Sequence, residues 1–229
     1  MSIDLNTITC GDATLLLKEL DDNSVDITFT SPPYNRKRND KYDFYNDDIS
    51  DFYEFLTNIT DELLRVTKRY VIINIQKTYY NKVDVFKYIG KYASEILDIV
   101  IWEKSNPRPA QGDNITNAYE FFIILGNELL KSNSTYTKNH ITTPVNSKMI
   151  DEHKAIMRTD VCKWFIENFT NENEIILDPF MGSGTTAIVC KSFNRNYIGF
   201  DISEEYCELA KSRLNNSYNK RTKKINKLF

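Results

Sequence analysis

The sequence predicts an α/β protein, a mostly parallel sheet with helices on both faces, and three observations carry that prediction. Short β-branched or aromatic runs bounded by polar residues recur at residues 25–30, 70–75, 96–102, 119–125, 174–177 and 197–200, with the length and composition of strands. Segments between them place apolar residues at helical spacing. The run at 70–75 is almost unbroken apolar, as a central strand covered on both faces must be. Strands that alternate with amphipathic helices close most readily into such a sheet.

Taken in order, Ala13, Leu16, Leu17 and Leu20 share one face of a first helix, ahead of the strand at 25–30. Phe52, Phe55, Leu56, Ile59, Leu63 and Leu64 form the apolar side of a longer helix that leads into residues 70–75. The strands at 96–102 and 119–125 flank an irregular loop, Ser105-Asn106-Pro107-Arg108-Pro109-Ala110-Gln111-Gly112, punctuated by Pro and Gly. Residues 126–150 are rich in Asn, Ser, Thr and Lys and have little periodicity. They read as a surface excursion, a small insertion of the kind that carries specificity more often than scaffold. A strand at 174–177, a helical run at 187–192, a strand at 197–200 and a last helix with Tyr206, Leu209, Ala210 and Leu214 on one face complete the chain.

A chain of 229 residues fits one domain with a full core. No apolar stretch approaches the roughly 20 residues that span a bilayer. The first residues show no basic segment followed by an apolar one, so a cytoplasmic protein is expected. Cys10, Cys162, Cys190 and Cys207 lack metal-ligand spacing; they are expected to be reduced, mostly buried thiols, with no metal. The net charge of -3 does not advertise a nucleic-acid partner, yet basic residues cluster locally. Arg36, Lys37, Arg38 and Lys41 form one group; Lys211, Arg213, Lys220, Arg221, Lys223, Lys224 and Lys227 form another with no acidic residue among them. Either group could meet phosphates, since affinity follows local charge. A solvated end is the plainer reading of the second.

Two loops carry the chemistry. Asp178-Pro179-Phe180-Met181-Gly182-Ser183-Gly184-Thr185-Thr186 joins a strand to a helix. Glycines at such a turn let backbone approach a ligand closely, and the helix start offers N–H donors. No Lys precedes the Thr pair, so this is not a Walker loop. Asp201 ends the next strand, where a nucleotide-binding unit places an acid for two ribose hydroxyls; a tight turn and an exposed acid is the plainer alternative. Thr30-Ser31-Pro32-Pro33-Tyr34-Asn35 also follows a strand. Its prolines fix φ and remove two N–H groups, which stiffens the loop and turns its carbonyls outward. The ring of Tyr34 offers a surface on which a planar ligand stacks. Read alone, a stiff turn capping a strand is the better reading of this loop.

The pairing of Thr-Ser-Pro-Pro-Tyr with Asp-Pro-Phe-Met-Gly-Ser-Gly-Thr-Thr resembles the amino-group DNA methyltransferases, and the order of the two loops is similar to their permuted β group. The resemblance covers nearly the whole chain: Cys10-Gly11-Asp12 at the start, Trp102-Glu103-Lys104 and Tyr119-Glu120-Phe121 in the late strands, and residues 195–201 with Tyr206, Ala210 and Arg213 at the end. At His153 the chain departs from the pattern, with Lys154 in place of the usual proline. The resemblance implies a Rossmann-like, seven-stranded sheet with one antiparallel strand at 119–125, and a target-recognition insertion at 126–150. It implies S-adenosylmethionine as cofactor, with Asp178, Phe180, Gly182, Gly184 and Thr185 along the methionine side, Asp201 at the ribose and Asp12 at the adenine amine. Asp12, just before a helix, reads equally as an N-cap.

It implies further that Ser31, Pro32, Pro33 and Tyr34 form the catalytic loop. A base inside a duplex cannot reach a buried methyl donor, so the target nucleotide must be flipped out and held by Ser31 Oγ, the Pro32 carbonyl and the Tyr34 ring. Ser in the first motif position is more typical of cytosine-N4 enzymes, whereas Asp there is more typical of adenine-N6 enzymes, so cytosine N4 is expected and adenine N6 is the alternative. Double-stranded DNA is the expected partner, with a cognate restriction endonuclease beside it and a monomer or homodimer as the assembly. The glutamine methyltransferases that act on release factors share a related loop, but with Asn first and the glycine loop ahead of it. An inactive DNA-binding subunit is the non-enzymatic alternative.

Overall fold

The computed structural model describes residues 4–36, 47–107, 109, 115–145 and 156–225. Lys37, Arg38, Lys41 and His153 lie outside the described residues, as do the side chains of the C-terminal basic group past residue 216. The strands are β1 (Thr7–Cys10), β2 (Val25–Thr30), β3 (Thr67–Ile75), β4 (Ile96–Lys104), β5 (Tyr119–Leu125), β6 (His140–Thr143), β7 (Ile175–Asp178) and β8 (Asn196–Asp201). The helices are α1 (Ala13–Leu16, continued by a 3-10 turn at Leu17–Glu19), α2 (Phe52–Val66), α3 (Lys82–Lys91), α4 (Thr159–Phe169), α5 (Thr185–Ser192) and α6 (Glu204–Ile225).

The strands make one sheet in the order β1-β8-β7-β2-β3-β5-β4-β6. Neighbours are parallel except where β5 runs antiparallel to both β3 and β4. The antiparallel strand is the one expected at 119–125. Among the described residues the sheet has eight strands where seven were expected, because His140–Thr143, inside the segment that reads as irregular, pairs with the outer side of β4.

Side-chain alternation along β3 shows how the two faces are built. Tyr70 and Ile72 enter one apolar cluster with α4, α5 and α6, whereas Val71, Ile73 and Ile75 enter another with α1, α2 and α3. Helix α2 begins where the Asp51 carboxylate accepts the Glu54 N–H at 2.9 Å, and its stripe Phe52, Leu56, Ile59, Leu63 and Val66 is fully covered. On the other face the Phe165 ring of α4 sits 5.3 Å from Phe29 and 4.3 Å from Phe122. Burying one such ring contributes roughly 2–3 kcal/mol.

Residues 126–150 divide into two parts with different addresses. Strand β5 runs backwards and ends beside the middle of β3 and the start of β4 (Leu125 pairs with Val71 and Ile96). Residues 126–139 therefore cross the end of the sheet away from the carboxyl ends of the parallel strands. There Tyr70 Oη donates to the Leu129 carbonyl and accepts from the Lys131 N–H, each at 3.1 Å, and the Asn133 N–H reaches the Asn168 carbonyl near the end of α4. Strand β6 then carries the chain back, and Val145 stands at the opposite end, on the cleft described next.

Candidate active site

Strands β2 and β7 lie side by side and parallel, but the chain leaves β2 for α2 on one face and leaves β7 for α5 on the other. Connections that diverge in this way open a crevice outside the carboxyl ends of the strands. A cleft of about 780 Å³ lies there, lined by both loops singled out above.

The two loops are tied together at the strand ends. Thr30 Oγ1, on the last residue of β2, donates to Asp178 Oδ1 at 2.7 Å, on the last residue of β7. Thr186 Oγ1 donates to Asp178 Oδ2 at 2.6 Å, and the Phe180 N–H approaches Oδ1 at 3.2 Å. Burial pushes the Asp178 carboxyl up to about 6, although these hydrogen bonds pull it down. Both carboxylate oxygens thus hold the loop from beneath.

Gly182 and Gly184 adopt φ of +50° and +78°, the left-handed region that glycine enters without steric cost. The turn aims the Gly182 N–H at Asp201 Oδ2, 2.7 Å away, while Asp201 Oδ1 accepts the Ser203 N–H at 3.0 Å. Burial raises the Asp201 carboxyl above its ordinary value and these N–H groups lower it. Arg213 of α6 donates to the Ser183 carbonyl and clamps the loop from behind. The Thr185 hydroxyl is buried with no hydrogen-bond partner among the described residues. The Phe180 ring meets Phe55 edge-on at 6.0 Å. Asp12 does cap α1: its Oδ1 accepts both the N–H and the hydroxyl of Thr14 at 2.8 Å. Asp12 also lines the cleft, so the two readings of this residue are compatible.

On the facing wall the Ser31–Tyr34 loop is locked in place. Asn81 donates to the Tyr34 carbonyl at 2.6 Å. Asn35, in the left-handed region at φ 53°, exchanges two side-chain hydrogen bonds with the backbone of Ile49, both 3.1 Å. Pro32 is buried and Pro33 half-buried. The ring of Tyr34 lines the cleft, while its hydroxyl lies 2.8 Å from Ser31 Oγ, 2.5 Å from Asn74 Oδ1 and 3.3 Å from Glu120 Oε2. Burial and the Glu120 charge hold this phenol well above its ordinary pKa. Arg36 lies over the Tyr34 ring at 5.1 Å and donates to Gln76 at 2.7 Å, so it is part of the cleft wall.

The cleft is also lined by Asn74 of β3, Trp102 and Lys104 of β4, and Glu120 of β5. Lys104 Nζ lies 3.1 Å from Glu120 Oε1 and over the Trp102 indole, whose Nε1 donates to Thr143 Oγ1 of β6 at 2.8 Å. Burial lowers the Lys104 ammonium to about 8 against the pull of Glu120. Sequence reasoning did not single these out as site residues. The signal was present at Asn74, the one polar residue inside the apolar 70–75 run.

The doubly wound sheet, the glycine turn aimed at a strand-end acid and the polar cleft between the diverging loops define an enzyme built on a nucleotide-type binding fold. The DNA methylase family model matches residues 25–212, and the chain belongs to this family, the amino-group (N6/N4) DNA methyltransferases. The type II methyltransferase M.HpaI of Haemophilus parainfluenzae is 28% identical over 93% of this chain and 75% of its own. The fold is shared with the cytosine-N4-specific PvuII DNA methyltransferase (TM-score 0.74, 15% identity, 93% of this chain and 90% of that one). It is shared as well with M1.HpyAVI in complex with SAM (TM-score 0.67, 24% identity, 91% and 98%). Among the described residues no helix is long and apolar enough to cross a membrane.

Proposed function

We propose that the cleft methylates the exocyclic amine of a base flipped out of DNA, with S-adenosylmethionine as the donor and cytosine N4 as the acceptor. The observation that supports this most directly is the Thr30–Asp178 hydrogen bond, which couples loops 148 positions apart in the chain at the switch point of the sheet. The donor fits the glycine-loop wall. Asp201 retains lone pairs for ribose hydroxyls, Gly182 borders open space with its nearest potential Cβ contact 4.0 Å away, and the Thr185 hydroxyl is buried without a partner among the described residues. Phe180, Gly182 and Thr185 would line the methionine side and Asp12 would face the adenine amine, whereas Gly184, expected beside them, packs against Ala210 of α6 and shapes the turn from behind. Asp178 supports them from below. When bound, the cofactor supplies an electrophilic methyl group: the N–C bond forms as the S–C bond breaks and sulfur keeps the electron pair.

The chain's own residues hold and aim the amine. Ser31 Oγ and the Pro32 carbonyl accept its N–H groups, and the ring of Tyr34 stacks on the base. These contacts favour a pyramidal nitrogen whose lone pair points across the cleft, so catalysis comes from positioning and fixed dipoles, without a covalent enzyme intermediate. Arg36, with Lys37, Arg38 and Lys41 beyond it, is proposed to meet the DNA backbone at the mouth. Within the described part of 126–150, Val145 after β6 lines the cleft, which favours this side of the segment for target recognition.

Incubating the purified protein with unmethylated DNA and methyl-labelled cofactor, followed by nucleoside mass spectrometry, tests the reading. The expected product is N4-methyldeoxycytidine, lost in Ser31→Ala and Tyr34→Ala. N6-methyldeoxyadenosine alone would reassign the base, and absence of label from DNA would overturn the function.

A further inference from the structure

The methylated nitrogen must shed a proton, and the residues around Tyr34 form an ordered path for it. Asn74 sets the direction of the path. Its Nδ2 donates to the Phe121 carbonyl at 3.0 Å, so its Oδ1 is the atom facing Tyr34, and the single phenolic proton is drawn toward that oxygen at 2.5 Å. Tyr34 is therefore the donor in that contact, and the Ser31 proton goes to the Tyr34 oxygen at 2.8 Å, a closer acceptor than Asn74 Oδ1 at 3.4 Å. The lone pairs of Ser31 Oγ are left for an amine in the cleft.

A neutral amide cannot keep an arriving proton, and the Tyr34 phenol, with its pKa well above the ordinary value, stays protonated at neutral pH. The next acceptor is Glu120 Oε2, 3.3 Å from Tyr34 Oη. Its other oxygen is held by Lys104 at 3.1 Å, which fixes the carboxylate with Oε2 toward the phenol. We propose that Glu120 is the terminal proton acceptor of the methyl transfer, reached through a Ser31–Tyr34 relay, with Lys104 as the residue that positions it. This rests on the amine-methylation reading above.

The step balances. The surplus proton on nitrogen passes to Ser31 Oγ, the Ser31 hydroxyl proton passes to Tyr34 Oη, and the phenolic proton swings from Asn74 Oδ1 to Glu120 Oε2 and is taken up there. Serine and tyrosine end neutral with a new proton each, glutamate ends as the neutral acid, and it later releases the proton to solvent through the cleft it lines. Glu120 is faced by the Lys104 ammonium of β4 and the neutral Tyr34 phenol, and Arg36 lies over the Tyr34 ring.

Single-turnover rates of the full-length protein with saturating cofactor and DNA test the relay. Glu120→Gln keeps the shape and hydrogen-bonding capacity but cannot take up the proton, and it should lower the rate about tenfold or more while cofactor and DNA affinities stay unchanged. The acidic limb of the wild-type pH–rate profile should be missing in this variant. Glu120→Asp keeps a carboxylate and should recover part of the loss. Equal impairment of the Gln and Asp variants, or a Gln variant with wild-type rate and pH profile, overturns the relay. Wild-type protein that labels no DNA amine at all would instead overturn the underlying reading.

Discussion

Alanine at Gly184 should cost far more stability than alanine at Gly182, although both glycines belong to the same turn. Gly184 sits at φ +78°, and a side chain in the left-handed region costs about 1–2 kcal/mol. Its Cβ would stand 2.7 Å from Ala210 Cβ and 3.0 Å from Ala210 Cα. The second contact is backbone, so relief requires α6 or the loop to move, and overpacking of that kind costs roughly 1–3 kcal/mol. Together the two effects amount to about 2–5 kcal/mol, a large share of the roughly 5–15 kcal/mol that holds a domain folded. Gly182, at φ +50° with nothing closer than 4.0 Å to the added atom, carries the backbone cost of about 1–2 kcal/mol alone. Urea denaturation followed by circular dichroism reads the difference as a shift in midpoint at constant slope. If Gly184→Ala is no less stable than Gly182→Ala, the close packing of the turn against α6 is refuted.

The Asp178 carboxyl makes stability depend on pH with an unusual sign. Its folded value is raised from 3.8 to about 6, so in that window the folded protein holds a proton the unfolded chain has lost. Stability therefore falls as pH rises through the window, by about 3 kcal/mol at most, and Asp178→Asn should remove this contribution; identical pH slopes for the two proteins would contradict it. Asp201→Ala removes the acceptor of the Gly182 and Ser203 N–H groups together with the proposed ribose contact. Calorimetry should record a loss of S-adenosylmethionine affinity of roughly 10–100-fold, and unchanged affinity would remove Asp201 from the cofactor site. Exposed substitutions within 126–139 should leave the methylated DNA sequence as it was, since these residues cross the far end of the sheet. A changed sequence in modification-sensitive sequencing would show that DNA reaches that end.

What the sequence made legible, and what it hid, follows from how far each signal extends along the chain. Long apolar stripes such as Phe52 to Val66, and unbroken runs such as residues 70–75, announce their elements because one local pattern is enough. Strand β1 has four residues and β6 has four, too few to establish a period; each is a strand because β8 or β4 offers a paired edge. Helix α4 carries a readable stripe in Val161, Cys162, Phe165, Ile166 and Phe169, although no helix was expected there. In α3 the exposed Val83 and Phe86 blur the buried pair Val85 and Tyr88.

The site divides along the same line. Its two loops are contiguous motifs whose glycines and prolines have local conformational reasons, and these were visible. Asn74, Lys104 and Glu120 acquire their meaning only from strand register. Glu120 pairs with Trp102 across β4 and β5, and Asn74 with Phe122 across β3 and β5, so two separate strands deliver polar groups to one phenol and a third brings Lys104 to Glu120. A polar residue in a buried strand has to find a partner, and that rule marks Asn74 from the residue pattern alone. It cannot name Tyr34 as the partner, because the contact spans 40 positions and depends on β2 lying beside β3. The order of the sheet, which no single segment encodes, turns a stiff turn into a polar pocket with a carboxylate at its end.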